Sequence, residues 1–415
     1  MEKIEIKYKL KPMNRAMLVS HAMNNIVSVF VGTFLISYIY SISNNFILDI
    51  NLFYCFNYLA MTVFYYIVSA IIDKTNRVSL YRLAIIIRGL FIFIVIFLGK
   101  KLAGFVILAG LLHGTSEAFY WASYNLMKNE LVSKHVVSKY SLWQQIDDKL
   151  VNIIIPLILG KIIDADSFRV AAYITFAMVI IQIVSTFIIK STRPENSGFD
   201  MKGFFKRTSE LGKHKSLVWY SIFVGGFYGF TNAVAPLNTI LIMLSFGSNF
   251  SLGIITSIFA LAYMAILLFY KRFTDFGERG WAYTFSAILP VVAAALLCFE
   301  LNRTLVIIYM ALYTVATITY SYGYDILRNI LLKKLNMYDD IAEYQCAIEV
   351  SMGISRTMIF GVLAIAGLIA ASLSAEALVI FAKVLTGVSI LFLSAMQILC
   401  AICEKKFEKE GIIED

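Results

Sequence analysis

Glu117 and His113 stand four residues apart in an apolar run, and Tyr120, Trp121 and Tyr124 continue the same helical face. A carboxyl and an imidazole one turn apart can carry a proton if the carboxyl alternates between dry and wet surroundings. Arg88, Lys149, Glu349 and Arg356 lie in similar apolar runs, and Asp147 and Asp148 form an adjacent acidic pair. A charge at the centre of a bilayer-spanning helix costs about 2.5–3.5 kcal/mol, so each needs a partner, a water-filled path or a function. Glu117, His113, Asp147 and Asp148 are therefore the proton-coupling candidates. For Glu117 the competing reading is a permanently ionised carboxylate paired to Arg88 or His113.

Uncharged polar residues form stripes that suit a substrate cavity. His21, Asn24, Asn25 and Ser28 recur at i, i+3, i+4 and i+7, a single helix face. Later in the chain Tyr228 and Asn232 precede Pro236, which can break a helix, and Tyr313, Thr317, Tyr320 and Tyr324 make a further stripe. Ordinary hydrogen bonding between membrane helices draws on the same residue types. Asp147 and Asp148 point about 100° apart on a helix, so one can serve a cavity while the other pairs with Lys149 or Arg88. Glu349 and Arg356 share a face but need a third group to bridge them. For these helix-five and helix-eleven charges, substrate contact and structural pairing both stay open. Lys383 reads as a snorkelling lysine.

The elements that must position these groups follow from composition. The 415 residues are 60% hydrophobic and 15% charged, with mean hydropathy +0.77, which excludes an ordinary soluble domain. About twelve apolar stretches of roughly 20 residues can each cross the hydrocarbon core. With the N-terminus inside, 27 of the 36 Lys and Arg fall on the cytoplasmic side and 5 on the other. That asymmetry predicts a multi-pass cell-membrane protein with both termini in the cytoplasm. The basic excess is thus topology, and nucleic acid is not an expected partner. The five cysteines are scattered through apolar stretches and read as small hydrophobes, with no metal site.

The polar stretch 191–215 divides the chain into an N-terminal bundle, 1–190, and a C-terminal bundle, 216–415. Phe199, Phe204, Phe205 and Leu211, interleaved with Lys202, Lys206 and Arg207, predict a short amphipathic helix on the cytoplasmic leaflet. The halves repeat at an offset of about 200 residues. Tyr120, Tyr124, Lys128 and Asn129 match Tyr320, Tyr324, Arg328 and Asn329, and Tyr140 matches Tyr344. Parallel six-helix repeats are a transporter architecture.

On these residues the chain resembles the major facilitator superfamily. Its loop motif between the second and third helices is kept in part as Asp73-Lys74-Thr75-Asn76-Arg77, with a second copy at Asp275 to Arg279. Both motif glycines and the last base are missing. The run Phe119-Tyr120-Trp121 with Tyr124-Asn125 looks like a little-characterised bacterial subgroup of transporters. The resemblance implies twelve transmembrane helices in two pseudo-symmetric six-helix bundles around a central cavity, lined by helices one, four, seven and ten. It also implies that Asp73, Arg77, Asp275 and Arg279 latch the cytoplasmic side, a carboxylate meeting the positive end of a helix. A polar loop turn is the plainer account of the same four residues.

The function expected is a secondary active transporter of a small or amphipathic organic solute, proton-coupled, working by alternating access and in the direction of export. No phosphate-binding loop of the Gly-x-x-x-x-Gly-Lys-Ser/Thr kind occurs, so neither ATP nor another cofactor is expected. A monomer in contact with membrane lipids is expected. The alternative is a lipid or glycolipid flippase of the same fold, with a polar headgroup pocket in one half and an apolar tail path in the other. No nucleophile–base or metal-ligand spacing suggests an enzyme.

Overall fold

Polar side chains at the turns start the helices. Asn45 accepts from the Leu48 amide, Asn76 from Val78, Ser167 from Val170, Asp200 from Gly203 and Ser374 from Ala377. Each satisfies an amide that the first turn leaves without an intrahelical partner. The structure, a computed structural model, describes residues 10–411 except 73, 133–135, 166, 191–197, 275–278, 336, 338–339 and 371–372. Every regular element among the described residues is helical.

The first helix, α1 (Pro12–Ile42), passes through a π-helical segment at Phe30–Leu35. It is followed by α2 (Phe46–Ile71), α3 (Arg77–Leu98), α4 (Val106–Leu131), α5 (Val137–Ala165) and α6 (Phe168–Ser185). A short α7 (Met201–Glu210) precedes α8 (Lys215–Thr231) and α9 (Val234–Phe246). The remainder is α10 (Asn249–Thr274), α11 (Arg279–Leu296), α12 (Arg303–Lys334), α13 (Ile341–Ala370) and α14 (Ala375–Lys409). Eight stretches among the described residues are long and apolar enough to cross a membrane, and one of them, Arg77–Lys128, holds both α3 and α4. The twelve crossings expected therefore exceed what apolar length alone counts. α5, with Asp147, Asp148 and Lys149 near its middle, is not one of the eight, and α11 and α12 carry only shorter apolar segments.

Pro236 acts at a distance of one turn. Its ring crowds the carbonyl four residues earlier, and the chain leaves the helix at Asn232 and Ala233 before resuming as α9. The Asn232 side-chain amide donates to the Tyr228 carbonyl at 3.2 Å, covering one group that the break frees. α9 ends at Gly247, whose φ of 71° is the left-handed conformation that other residues rarely adopt.

The chain forms two compact units. One comprises Met1–Phe199 with Ser248–Ser257, the other Asp200–Gly247 with Ile258–Asp415. In the first, α1 packs on α5 and α6, and α3 on α4 and α6; α2 and α4 are the most closely packed pair. A side chain at Gly114 would run into the Asn57 backbone, so this glycine sets the spacing of α2 and α4. Asp164, at the end of α5, accepts from the amides of Asn249 and Phe250 at 3.1 and 2.8 Å and from the Asn249 side chain at 3.1 Å. Ser37 donates to the same asparagine at 2.6 Å.

In the second unit α8 packs on α13 and α14, and α11 on α12 and α14. The predicted amphipathic helix exists as α7, but its apolar face meets protein. Phe204 is fully buried and Phe205 stacks on Trp219 of α8. Arg207 pairs with Asp340, and the Asp200 amide donates to Glu343 of α13 at 2.9 Å. Docking on α8 and α13 gives the phenylalanines the apolar cover that a lipid surface would otherwise supply.

Candidate functional site

The polar groups of the N-terminal unit gather into two clusters joined by Tyr120. The deeper cluster centres on Glu117 of α4. Arg88 of α3, with no exposed surface, donates from Nη2 to Glu117 Oε1, and Trp121 Nε1 donates to Oε2 at 2.8 Å. His113 Nε2 lies 3.8 Å from Oε1, while His113 Nδ1 is 2.8 Å from Oδ1 of Asn57. The Arg88 guanidinium also lies over the Tyr120 ring, 4.9 Å from its centroid. Both Glu117 oxygens are thus engaged by fixed donors. Removing either Arg88 or Glu117 would leave the other charge in a dry site without its partner.

The second cluster is more open. His21 Nδ1 is 2.8 Å from the Tyr120 hydroxyl, and Nε2 is 3.1 Å from Asp148 Oδ1. Asn25 donates to the same Asp148 oxygen at 2.5 Å and reaches Asp147 at 3.4 Å. Gln144 Nε2 lies 3.3 Å from His21 Nε2, and Lys128 donates to Gln144 Oε1 at 2.7 Å. The His21 ring stacks on Tyr124 and meets Trp121 edge-on. His21 is buried, whereas the Asp148 side chain is 37% exposed. Asn25, Trp121, Gln144, Asp147 and Asp148 are half-buried and Ser28 is exposed. On α1, Asn24 is the buried member of the stripe, although Ser28, one turn on from it, is exposed.

Helices α1, α4 and α5 thus build one polar wall. The wall can bind hydroxyl and amide groups through Asp148, Asn25 and Gln144, and the Trp121 ring beside them can pack on a flat apolar group. Its accessible carboxylates, Asp147 and Asp148, favour neutral or cationic partners. The structure pairs Arg88 with Glu117, not with Asp147 or Asp148. Asn24 is fully buried, and its amide meets no hydrogen-bond partner among the described residues.

Among the described residues, the C-terminal unit is joined mainly through hydroxyl groups. Tyr324 donates to the Ser221 carbonyl at 3.3 Å, and the Ser221 hydroxyl is 2.6 Å from that of Tyr344. Tyr309 donates to Asn238 at 2.8 Å. Glu349 and Arg356 of α13 are half-buried, and the charges that reach Glu349 are those of Arg356 and Arg328. Tyr228 and Asn232 are half-buried, with the Asn232 amide spent on the helix break. Lys383 Nζ donates to the Phe299 carbonyl just beyond α11, which ties down a chain end that a cation suits. Asp73, Asp275 and the side chains of Arg279 and Tyr320 lie outside the described residues; Arg77 is buried.

Sequence reasoning missed Asn57, which holds His113, and the capping of α10 by Asp164. Asn57 was visible as a lone amide in an apolar stretch that faces Gly114. The Asp164 contact has only a weak signal, an acidic residue at a helix end.

Long apolar helices with an arginine–glutamate pair buried between two of them make a multi-pass membrane protein. The sequence pattern of the Major Facilitator Superfamily matches residues 16–335, and the chain belongs to that family. Two crystal structures of the nucleoside transporter NupG share the fold. A mutant form aligns with a TM-score of 0.67 at 14% identity, covering 97% of this chain and all of that one. The other aligns at 0.62 and 12%, covering 96% of this chain and 98% of that one. No curated protein matches the chain in sequence.

Proposed function

We propose that the chain is a proton-coupled secondary transporter that moves a small or amphipathic organic solute by alternating access. The reading includes twelve crossings in two six-helix repeats, both termini in the cytoplasm, a monomer, and transport in the direction of export. The observation that carries it is Asp148, partly exposed at membrane depth, anchored by His21 and Asn25 and flanked by Trp121. A substrate with hydroxyl or amine groups and a flat ring fits that wall. Arg88 is committed to Glu117, which removes it as a grip for an anionic group.

Proton carriage falls to Asp148 with Asp147 and His21. Glu117 and His113 hold α3, α4 and α2 together. Water reaching Asp148 in one state and not in the other would shift its proton affinity, as coupling requires. The latch assigned to Asp73, Arg77, Asp275 and Arg279 rests on the family resemblance.

The test is uptake into proteoliposomes of a panel of nucleosides, organic amines and polyols, with and without a pH gradient. Gradient-dependent accumulation of one class, lost in Asp148→Asn, is expected. Full proton-dependent transport by Asp148→Asn would refute the assignment. The flippase reading is favoured by one contrast, the polar wall of the first unit against the Phe227, Phe230 and Phe392 cluster of the second. Headgroup translocation with no solute transport would establish it.

A further inference from the structure

α1 and α5 begin at the same end of the N-terminal unit and enclose a cavity of about 500 Å³ lined by Leu10, Arg15, Leu18, Val19, Lys139 and Trp143. The lining combines two bases with four apolar side chains and includes no carboxylate. Arg15 and Lys139 are exposed, and neither forms an ion pair among the described residues. Both helices order the groups in the same way. Arg15 is followed four residues on by Val19, and Lys139 four residues on by Trp143, so each base has an apolar side chain one turn deeper on its own face. Val19 is 44% exposed and Trp143 49%, so nearly half of each apolar side chain is left uncovered by the described residues.

We propose that this cavity binds one anionic phospholipid, its phosphate between Arg15 and Lys139 and an acyl chain along Val19, Leu18 and Trp143. Charge complementarity selects the headgroup. A zwitterionic lipid would bring a cation to a site whose described lining residues offer no carboxylate to receive it. The apolar depth below the bases selects a lipid over a soluble anion, which would gain nothing from Val19 and Trp143. A tryptophan one turn below a base matches the boundary between headgroups and acyl chains. The groove between α11 and α14 makes the contrast: there Lys383 is accompanied by Glu300 and Glu376, and an anionic headgroup has no net attraction. The lining shares no residue with the polar wall around Asp148, and the lipid is proposed as a bound partner and not as the transported solute.

The test is native mass spectrometry of the detergent-purified full chain titrated with dioleoyl-phosphatidylglycerol or dioleoyl-phosphatidylcholine. One phosphatidylglycerol should be held in preference to phosphatidylcholine. The double substitution Arg15→Gln/Lys139→Gln should weaken it about thirtyfold, two surface bases being lost. Lys100→Gln/Lys101→Gln, which removes two exposed lysines elsewhere, and Asp148→Asn should both leave it bound. Equal retention of phosphatidylcholine would overturn the proposal. So would unchanged binding in the Arg15/Lys139 variant, equal loss in the Lys100/Lys101 variant or in Asp148→Asn, or displacement of the lipid by millimolar inorganic phosphate.

Discussion

Corresponding positions of the two repeats carry the same hydroxyl groups, but those groups are wired differently. In the N-terminal unit Ser20 bonds Tyr81, and Tyr124 bonds Tyr140. In the C-terminal unit the counterparts Tyr324 and Tyr344 both turn to Ser221. The charged members differ more. At the offsets set by the Ser20–Ser221, Asp73–Asp275, Tyr124–Tyr324 and Tyr140–Tyr344 pairs respectively, His21 is replaced by Ile222, Arg88 by Pro290, Glu117 by Thr317 and Asp148 by Met352. One repeat therefore holds a buried arginine–glutamate pair and an accessible aspartate, while the other closes the same positions with neutral groups. Burying an ion pair is weak support for stability, since apolar residues of similar size do as well. The other repeat keeps its charges at different places, with Glu349 near Arg356 and Arg328.

The sharpest break in the comparison is Arg88→Met. It leaves Glu117 charged and dry, and thermal unfolding in detergent should show a loss of about 3–5 kcal/mol. Arg88→Met with Glu117→Gln should recover most of that loss; a double variant as unstable as the single would show that the two residues do not act as a pair. Next, Asp148→Asn should lower transport at least about tenfold with little change in stability, the worth of one charge-assisted bond. Met352→Leu, at the corresponding place, should leave transport unchanged, and equal losses at both sites would remove the functional asymmetry.

A smaller effect separates the tyrosines. Tyr124→Phe strips the Tyr140 hydroxyl of a partner and should cost about 1 kcal/mol, read as a lower midpoint of thermal unfolding. Tyr324→Phe should cost less, because the Ser221 carbonyl lies within a helix that already engages it. The smallest effect has the opposite sign. Asn24→Leu removes a buried amide without a bond and should raise stability by up to about 1 kcal/mol, unless Asn24 serves transport, in which case activity falls.

Much of the site was legible from spacing. The His21–Ser28 and His113–Tyr124 stripes come from helical period, and the structure brings His21, Tyr120 and Tyr124 into contact. Period did not say which stripe member faces inward, and Asn24 and Asn25 went opposite ways. That Arg88 could reach Glu117 was visible, but the contact itself depends on the rotation of α3, which swings Arg88 onto α4. Asn57 escaped because a lone amide has no periodicity to display. Pro236 announced a helix break, though the break falls four residues earlier, where its ring meets a carbonyl.

The sequence by itself determined that this chain spans a membrane many times and that several charges lie within its apolar stretches. Those conclusions need only composition, period and the cost of charge in hydrocarbon, which are local properties of the chain. Tertiary structure alone decided which charges are spent on one another. Arg88 and Glu117 are 29 residues apart, and His21 and Asp148 are 127 apart. Partners at such separations are chosen by the rotation and spacing of packed helices, which glycine contacts such as Gly114 on Asn57 set and no local pattern records.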